Sequence, residues 1–119
     1  MGKVYGIHEI ELYPGVDEES LVKFVNQELV KVYAEMGWKT MLLKGDRGQR
    51  VGKYAVMSEI EDRGARDRIY PAHNVQSEES KRWFAEHKEL VDYLMKKWAS
   101  FSPTDLGANL EYTDYLVLD

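Results

Sequence analysis

Three polar side chains on predicted strands and one on a predicted helix are the residues best suited to acid–base chemistry. His8, Ser58 and Asp114 alternate with apolar residues, so each is predicted to share a strand face with apolar side chains. His87 lies four residues after Trp83, which places it on the apolar stripe of a predicted helix. Because buried polar groups need hydrogen-bond partners, we expect these four side chains to converge between helices and sheet.

The chemistry that this set predicts is proton abstraction by a histidine. A carboxylate from Asp114 beside His8 would orient the imidazole and raise its basicity, as a general base requires. Ser58 does not complete a hydrolase triad, because no nucleophile elbow surrounds it in the sequence. The candidate catalytic residues are therefore His8, His87, Asp114 and Ser58. The alternative is that each polar group is satisfied locally by backbone or water.

Aromatic side chains at helix and strand spacings form a second candidate group. They predict either a pocket for a flat ligand or ordinary core packing. We take Tyr54, Trp83 and Tyr112 as the candidate ligand-binding residues. The wider aromatic set also contains Tyr33, Trp38, Tyr93 and Trp98.

Four carboxylates lie on the opposite strand faces: Glu9, Glu11, Glu59 and Glu61. Glu9 and Glu59 lie on strands predicted to be central and could meet inside a dimer, where they would share a proton or bind a divalent metal with histidine. The alternative is that they form ion pairs or lie at a solvated rim. We assign no metal site and leave the cofactor open.

A basic, glycine-rich segment, residues 44–53, joins two predicted strands, and further arginines follow at 63, 66 and 68. Glycine turns and arginine side chains suit phosphate or carboxylate groups. Because this segment does not lead into a helix, it is not a nucleotide-binding phosphate loop, and a solvated hairpin explains it more simply.

The composition is that of one soluble globular domain, residues 1–119, with 44% hydrophobic and 31% charged residues. The absence of cysteine excludes disulfides and thiolate chemistry. A net charge of -5 disfavours nucleic acid and anionic membranes as partners. No apolar run of signal-peptide or membrane-spanning length begins the chain, so we expect a cytoplasmic protein.

Periodicity and turn residues predict the element order β-α-β-β-α-β. An internal echo supports this order, because Glu9-Ile10-Glu11 recurs as Glu59-Ile60-Glu61 at corresponding positions. The predicted elements are a strand at 4–12, a helix between Asp17 and Gly37, strands at 38–43 and 53–60, a helical turn within 62–70, a long helix from Ser77 to Phe101 and a strand at 110–118.

This order predicts an α+β, ferredoxin-like sandwich, a four-stranded antiparallel sheet with two helices on one face and the first and third strands at its centre. The face away from the helices carries apolar residues, including Ile7, Met41, Met57 and Tyr115. That is too much apolar surface to leave in water, so we expect the sheet to pack on a second copy of the chain as a homodimer.

In element order and length, the whole chain resembles the dimeric α+β barrel superfamily, in which two ferredoxin-like subunits close their sheets into one barrel. That superfamily includes small monooxygenases, isomerases, haem proteins and stress-responsive proteins. The resemblance implies a small-molecule pocket between helices and sheet and an enzyme of the cofactor-independent monooxygenase or isomerase kind. The alternative is a non-catalytic, oligomeric protein of the stress-response kind.

An RNA-binding module is a remote alternative, because RNA-recognition motifs share this element order. Their third strand carries a basic residue, a glycine and three aromatic residues that stack on bases. Residues 52–59 hold one aromatic residue, Tyr54, and end in a carboxylate, Glu59. With an acidic pI of about 5.2 as well, the sequence favours a protein without a nucleic-acid partner.

Overall fold

A computed structural model of the chain describes residues 2–106 and 112–119. It is an α+β protein whose helices pack on a four-stranded antiparallel sheet. In chain order its elements are β1 (Val4–Ile10), α1 (Glu18–Phe24), a π-helical segment (Val25–Leu29), α2 (Val30–Glu35), β2 (Lys39–Lys44), β3 (Tyr54–Ile60), α3 (Arg63–Asp67), α4 (Glu78–Glu86), α5 (Lys88–Phe101) and β4 (Tyr112–Leu116).

The strand order across the sheet is β2-β3-β1-β4, which confirms that the first and third strands are central. β1 pairs with β3 so that Gly6 lies opposite Ser58, and with β4 so that Gly6 also lies opposite Asp114. Since side chains alternate across a strand, these three residues share the face on which the helices pack. The predicted last strand began at residue 110, but residues 107–111 lie outside the described part of the chain.

The first helical region begins and ends where the sequence predicts. Asp17 caps α1 by accepting a hydrogen bond from the backbone N–H of Ser20 at 3.2 Å. After α2, Gly37 adopts a φ of 81°, the left-handed conformation that glycine allows at a helix end. Leu21 and Phe24 are buried on the inner side, and they anchor this helix on the sheet.

The prediction of one long helix after Ser77 is wrong in one respect, because the backbone breaks at His87. Ser77 caps α4 through the N–H of Ser80, as a helix start requires. His87 has φ -113° and ψ 30°, outside the helical range, and it separates α4 from α5. In the tautomer that protonates Nδ1, its ring donates to the carbonyl oxygen of Trp83 at 2.8 Å, so the side chain competes for a helix acceptor.

The hydrophobic core lies between the helices and the inner face of the sheet. Trp98 is its largest fully buried side chain, and its indole N–H donates to the carbonyl oxygen of Thr104 at 2.6 Å. Buried core residues from the sheet include Ile10 and Val56. In residues 2–106 and 112–119, no helix has both the length and the apolarity of a membrane span.

Candidate functional site

A cavity of about 420 Å³ lies between the inner face of the sheet and the segment that runs from α3 toward α4. Its volume falls within the ordinary range for small-molecule pockets. The sheet strands contribute Gly6, His8, Ser58, Tyr112 and Asp114, and the segment after β3 contributes Arg66, Asp67, Tyr70 and residues 71–74. The structure therefore brings together three of the four predicted catalytic residues, on three adjacent strands.

His8 is partly buried in this cavity, and its ring centroid lies 5.1 Å from that of Tyr112. Burial lowers the pKa of His8 below its ordinary value of 6.5, and the nearby negative charge of Asp114 opposes the effect without cancelling it. The imidazole is therefore uncharged at neutral pH. An uncharged imidazole can accept a proton, which is the state that a general base needs.

The position of the Asp114 carboxylate depends on an ion pair with Arg66 and on the space above Gly6. The guanidinium Nη1 of Arg66 lies 3.2 Å from Oδ2 of Asp114, and each of the two side chains is about one-quarter exposed. Below the carboxylate, a Cβ on Gly6 would lie only 2.9 Å from Oδ1. Gly6 therefore leaves the space that the carboxylate occupies, and Arg66 supplies a countercharge.

Ser58 lines the cavity, but its hydroxyl already has a protein partner. The hydroxyl oxygens of Ser58 and Thr40 lie 2.7 Å apart across the β2–β3 pair, and both residues are buried. Each hydroxyl can donate or accept, so the pair satisfies two polar groups that would otherwise be buried alone. For Ser58 this contact supports the structural alternative over a role in proton transfer.

His87 does not join the other three residues, so the expectation that it points toward the sheet is corrected. It is exposed at the α4–α5 junction, where its ring stacks on Trp83 at 4.2 Å and 15°. Trp83 lines a separate small cleft of about 70 Å³. Tyr54 also lies apart from the cavity and donates from its hydroxyl to Glu18 at 2.5 Å. Of the predicted ligand-binding residues, the cavity contains Tyr112.

Two of the four carboxylates predicted for the other face of the sheet, Glu59 and Glu9, form ion pairs. Glu59 accepts hydrogen bonds from Tyr5 at 3.0 Å and Lys3 at 3.3 Å, and Glu9 lies 3.3 Å from Arg50. Tyr5 is the partner of Glu59 in the strand pair, which places Glu9 four positions farther along β1. In the described part of the chain, no group of three or more His, Cys, Asp or Glu side chains is placed to hold a metal ion.

The basic segment forms a glycine-rich hairpin turn. Gly45 and Val51 form an isolated bridge, and Gly48 and Gly52 adopt positive φ values of 100° and 77°. Lys44 at its base forms an ion pair with Glu18 at 2.7 Å. These contacts favour the solvated hairpin over an anion site.

Sequence reasoning did not select the residues that close the cavity. Tyr70 ends the polar segment 62–70, which is predicted to hold a turn of helix, and His73 follows it outside any predicted element. The sequence pattern groups Arg66 with the arginines near the basic segment. A return contact closes this loop, since the N–H of Ser77 donates to the carbonyl oxygen of Ile69 at 2.8 Å. The tip of the loop rests on the sheet, where the N–H of Asn74 donates to the hydroxyl of Tyr112 at 3.0 Å.

The signal in the sequence that could have found this loop is its length. The strand repeat of Glu9-Ile10-Glu11 is offset by 50 residues, whereas Glu18-Glu19-Ser20 at the first helix recurs as Glu78-Glu79-Ser80, an offset of 60 residues. The second copy therefore carries about ten more residues between strand and helix than the first. Long insertions of this kind are often functional loops. Nothing in the spacing alone shows over which part of the sheet such a loop folds.

Two groups of neighbouring aromatic rings line the cavity. Tyr112 lies between His8 and His73, with its ring centroid 4.6 Å from that of His73. Trp38 lies between Tyr33 and Tyr70, at 6.4 Å and 5.9 Å. Burial raises the pKa of Tyr33 and, together with the neighbouring Tyr112, that of Tyr70, so both hydroxyls stay protonated at neutral pH and can donate hydrogen bonds.

Comparisons with protein-family models, with curated proteins and with solved structures found no match to this chain.

Proposed function

We propose that this protein binds a small organic molecule in the cavity between helices and sheet and acts on it by proton transfer. The observation that carries the proposal is that His8 and Asp114 both line a cavity of about 420 Å³, which is large enough for a metabolite, and that the charge of Asp114 acts on His8. Polar side chains in a concave, largely aromatic site are typical of ligand pockets rather than of ordinary core packing.

In this proposal His8 is the proton acceptor. Its uncharged imidazole takes a proton from an acidic C–H or O–H group of the ligand, which leaves an enolate or phenolate. Asp114 stabilises the imidazolium that forms, and Arg66 holds that carboxylate in position. An isomerase would return the proton to another atom of the ligand, whereas a cofactor-independent monooxygenase would let dioxygen react with the anion.

The proposed assembly is a homodimer that packs sheet against sheet, as in a dimeric α+β barrel. The strand order β2-β3-β1-β4 is compatible with the ferredoxin-like subunit of such a barrel. On the face away from the helices, Ile7 and Met57 lie opposite each other in the β1–β3 pair, and Met41 lies opposite Met57 in the next pair. These side chains are partly exposed in the single chain, and Tyr115 beside them is 58% exposed. A second copy would cover this apolar surface.

The same surface favours a second candidate, a non-catalytic oligomeric protein in which the sheet serves assembly alone. The cavity counts against this candidate, because a packing-only role does not require an opening beside His8. A cytoplasmic location stays a prediction in either case.

Native mass spectrometry of the purified protein, incubated with a mixture of small aromatic and aliphatic acids, alcohols and ketones, tests the proposal. We expect a dimer that retains one or more of these compounds, and we expect His8→Ala to reduce that retention. His87→Ala is the matched control, since His87 is exposed and lies outside the cavity. Retention of no compound, or equal retention by His8→Ala and the wild type, would contradict the proposed site.

A further inference from the structure

We propose that the ligand of this cavity is an uncharged compound with a planar ring system, and that the cavity discriminates against anions of the same shape. This inference rests on the proposed function and adds the ligand's chemical class to it. The juxtaposition that carries it is the presence, in the lining of one cavity, of two aromatic groups and of one arginine that is already paired with two aspartates.

The shape of the ligand follows from the rings that line the cavity. His8, Tyr112 and His73 come from β1, β4 and the loop before α4, and neighbouring ring centroids in this group lie 5.1 Å and 4.6 Å apart. The Tyr33, Trp38 and Tyr70 group lines the same cavity. Aromatic faces attract flat ring systems through offset stacking, whereas a flexible aliphatic ligand gains nothing specific from them. The site therefore favours a planar ring.

The loop tip makes this aromatic surface reachable. Residues 71–74 are exposed and also line the cavity, so they form part of its mouth. His73 is the ring at that mouth, where it stacks on Tyr112 with an interplanar angle of 18°. Because Tyr112 separates His73 from His8 in this stack, a ligand ring that enters past His73 has to lie along the rings for its acidic group to reach the imidazole of His8.

The charge of the ligand follows from the ionised side chains that face the cavity. Arg66, Asp67 and Asp114 carry one positive and two negative charges. The guanidinium of Arg66 contacts both carboxylates, with its Nε 3.0 Å from Asp67 and its Nη1 3.2 Å from Asp114. Because Arg66 is already paired with both carboxylates, it is not free to bind an anionic ligand. The three side chains also carry a formal net charge of one negative, which would repel a carboxylate or phosphate group of the ligand.

His8 does not change this balance at neutral pH. Burial lowers its pKa, so the imidazole adds no positive charge to the described lining of the cavity. The protonated hydroxyls of Tyr33 and Tyr70 add hydrogen-bond donors without charge. These groups suit the carbonyl or hydroxyl oxygens of a neutral ring compound.

Isothermal titration calorimetry with 2-naphthol and 2-naphthoate at pH 7.5 tests the inference. The two probes share a ring system and differ in charge. We expect 2-naphthol to bind about tenfold or more tightly than 2-naphthoate, a difference of about 1.4 kcal/mol per factor of ten. Equal or tighter binding of 2-naphthoate would overturn the charge preference and leave the proposed pocket standing. Failure of both probes to bind would overturn the ring preference.

Two pairs of variants locate the effect. His73→Ala should weaken 2-naphthol binding severalfold, because it removes an exposed ring of the stack, whereas His87→Ala should not. Asp67→Asn should reduce the difference in binding affinity between 2-naphthol and 2-naphthoate. Asp92→Asn on α5, outside the cavity lining, should leave that difference unchanged. Unchanged binding in both His73→Ala and Asp67→Asn would overturn the inference. The proposed function is tested separately, by whether the protein retains any other compound in native mass spectrometry.

Discussion

The carboxylate of Asp114 on β4 lies over Gly6 on β1, so close that a Cβ on Gly6 would be 2.9 Å from Oδ1. The two residues are direct partners in the antiparallel β1–β4 pair. A carboxylate in this place also reaches the guanidinium of Arg66 and influences His8. Because Gly6 has no side chain, the carboxylate of Asp114 can occupy this position, and its charge then contributes to the electrostatics of the cavity.

Asp114→Asn is expected to lower the pKa of His8 further. The negative charge of Asp114 favours the protonated imidazole and works against burial, so its removal leaves burial unopposed. NMR titration of the histidine ring protons measures the shift, with exposed His87 as an internal reference. A pKa of His8 that does not move, or that rises, would show that the two groups do not interact as the structure indicates.

Gly6→Ala is expected to lower the pKa of His8 in the same direction by displacing the carboxylate. We expect the free energy of unfolding to change by less than about 1 kcal/mol, because the crowded atom is the end of a side chain and alanine is favoured over glycine within a strand. The same NMR titration and urea unfolding measure both effects. A large loss of stability would mean that Asp114 cannot move from this position.

Protein stability is expected to fall as the solution is acidified through the ordinary pKa of histidine, 6.5. The pKa of His8 is lower in the folded state than in the unfolded state, so the unfolded chain binds more protons in this interval. The contribution of His8 is fully present above that value and decreases toward its folded pKa. Urea unfolding between pH 5 and 8 should show a weaker pH dependence for His8→Gln than for the wild type, whereas the matched variant His87→Gln should retain it.

Thr40→Val is expected to destabilise the fold by about 1–3 kcal/mol, because it leaves the buried hydroxyl of Ser58 without its partner. The double variant Thr40→Val with Ser58→Ala should recover part of that loss, since neither polar group then remains. Urea unfolding measures both values. Thr113→Val, an exposed substitution on β4, is the control. A double variant less stable than the sum of its single variants would contradict this account.

Met57→Lys is expected to dissociate the proposed homodimer into monomers. Met57 lies between Ile7 and Met41 in the sheet, on the apolar surface that a second copy would cover. A lysine there would place a desolvated charge in the interface. Light scattering coupled to size exclusion measures the mass. Leu90→Lys on α5, where Leu90 is 46% exposed, is the control and should leave the dimer intact. A wild type that is monomeric at micromolar concentration would refute the dimer.

Local signals in the sequence were sufficient for most of the fold. Asp17, Gly37 and Ser77 mark helix ends through capping and backbone conformation, which depend on a few neighbouring residues. Strand alternation also placed His8 and Asp114 on one face, because the side-chain period of a strand is fixed. The sequence alone therefore determined the element order, the polarity of the sheet faces and the presence of a histidine and a carboxylate beneath the helices.

Only the tertiary structure decided which residues complete the cavity. His87 follows the apolar period of its helix, yet a backbone break turns it to solvent, and periodicity cannot show such a break. Arg66 lies on the short helix α3, and Tyr70 and His73 belong to the loop that follows it. The path of this loop depends on contacts between distant residues, such as Asn74 with Tyr112. The sequence supplies the residue types that the site needs. Which of them line the cavity depends on long-range packing, because the conformation of the loop is determined by contacts with residues far along the chain.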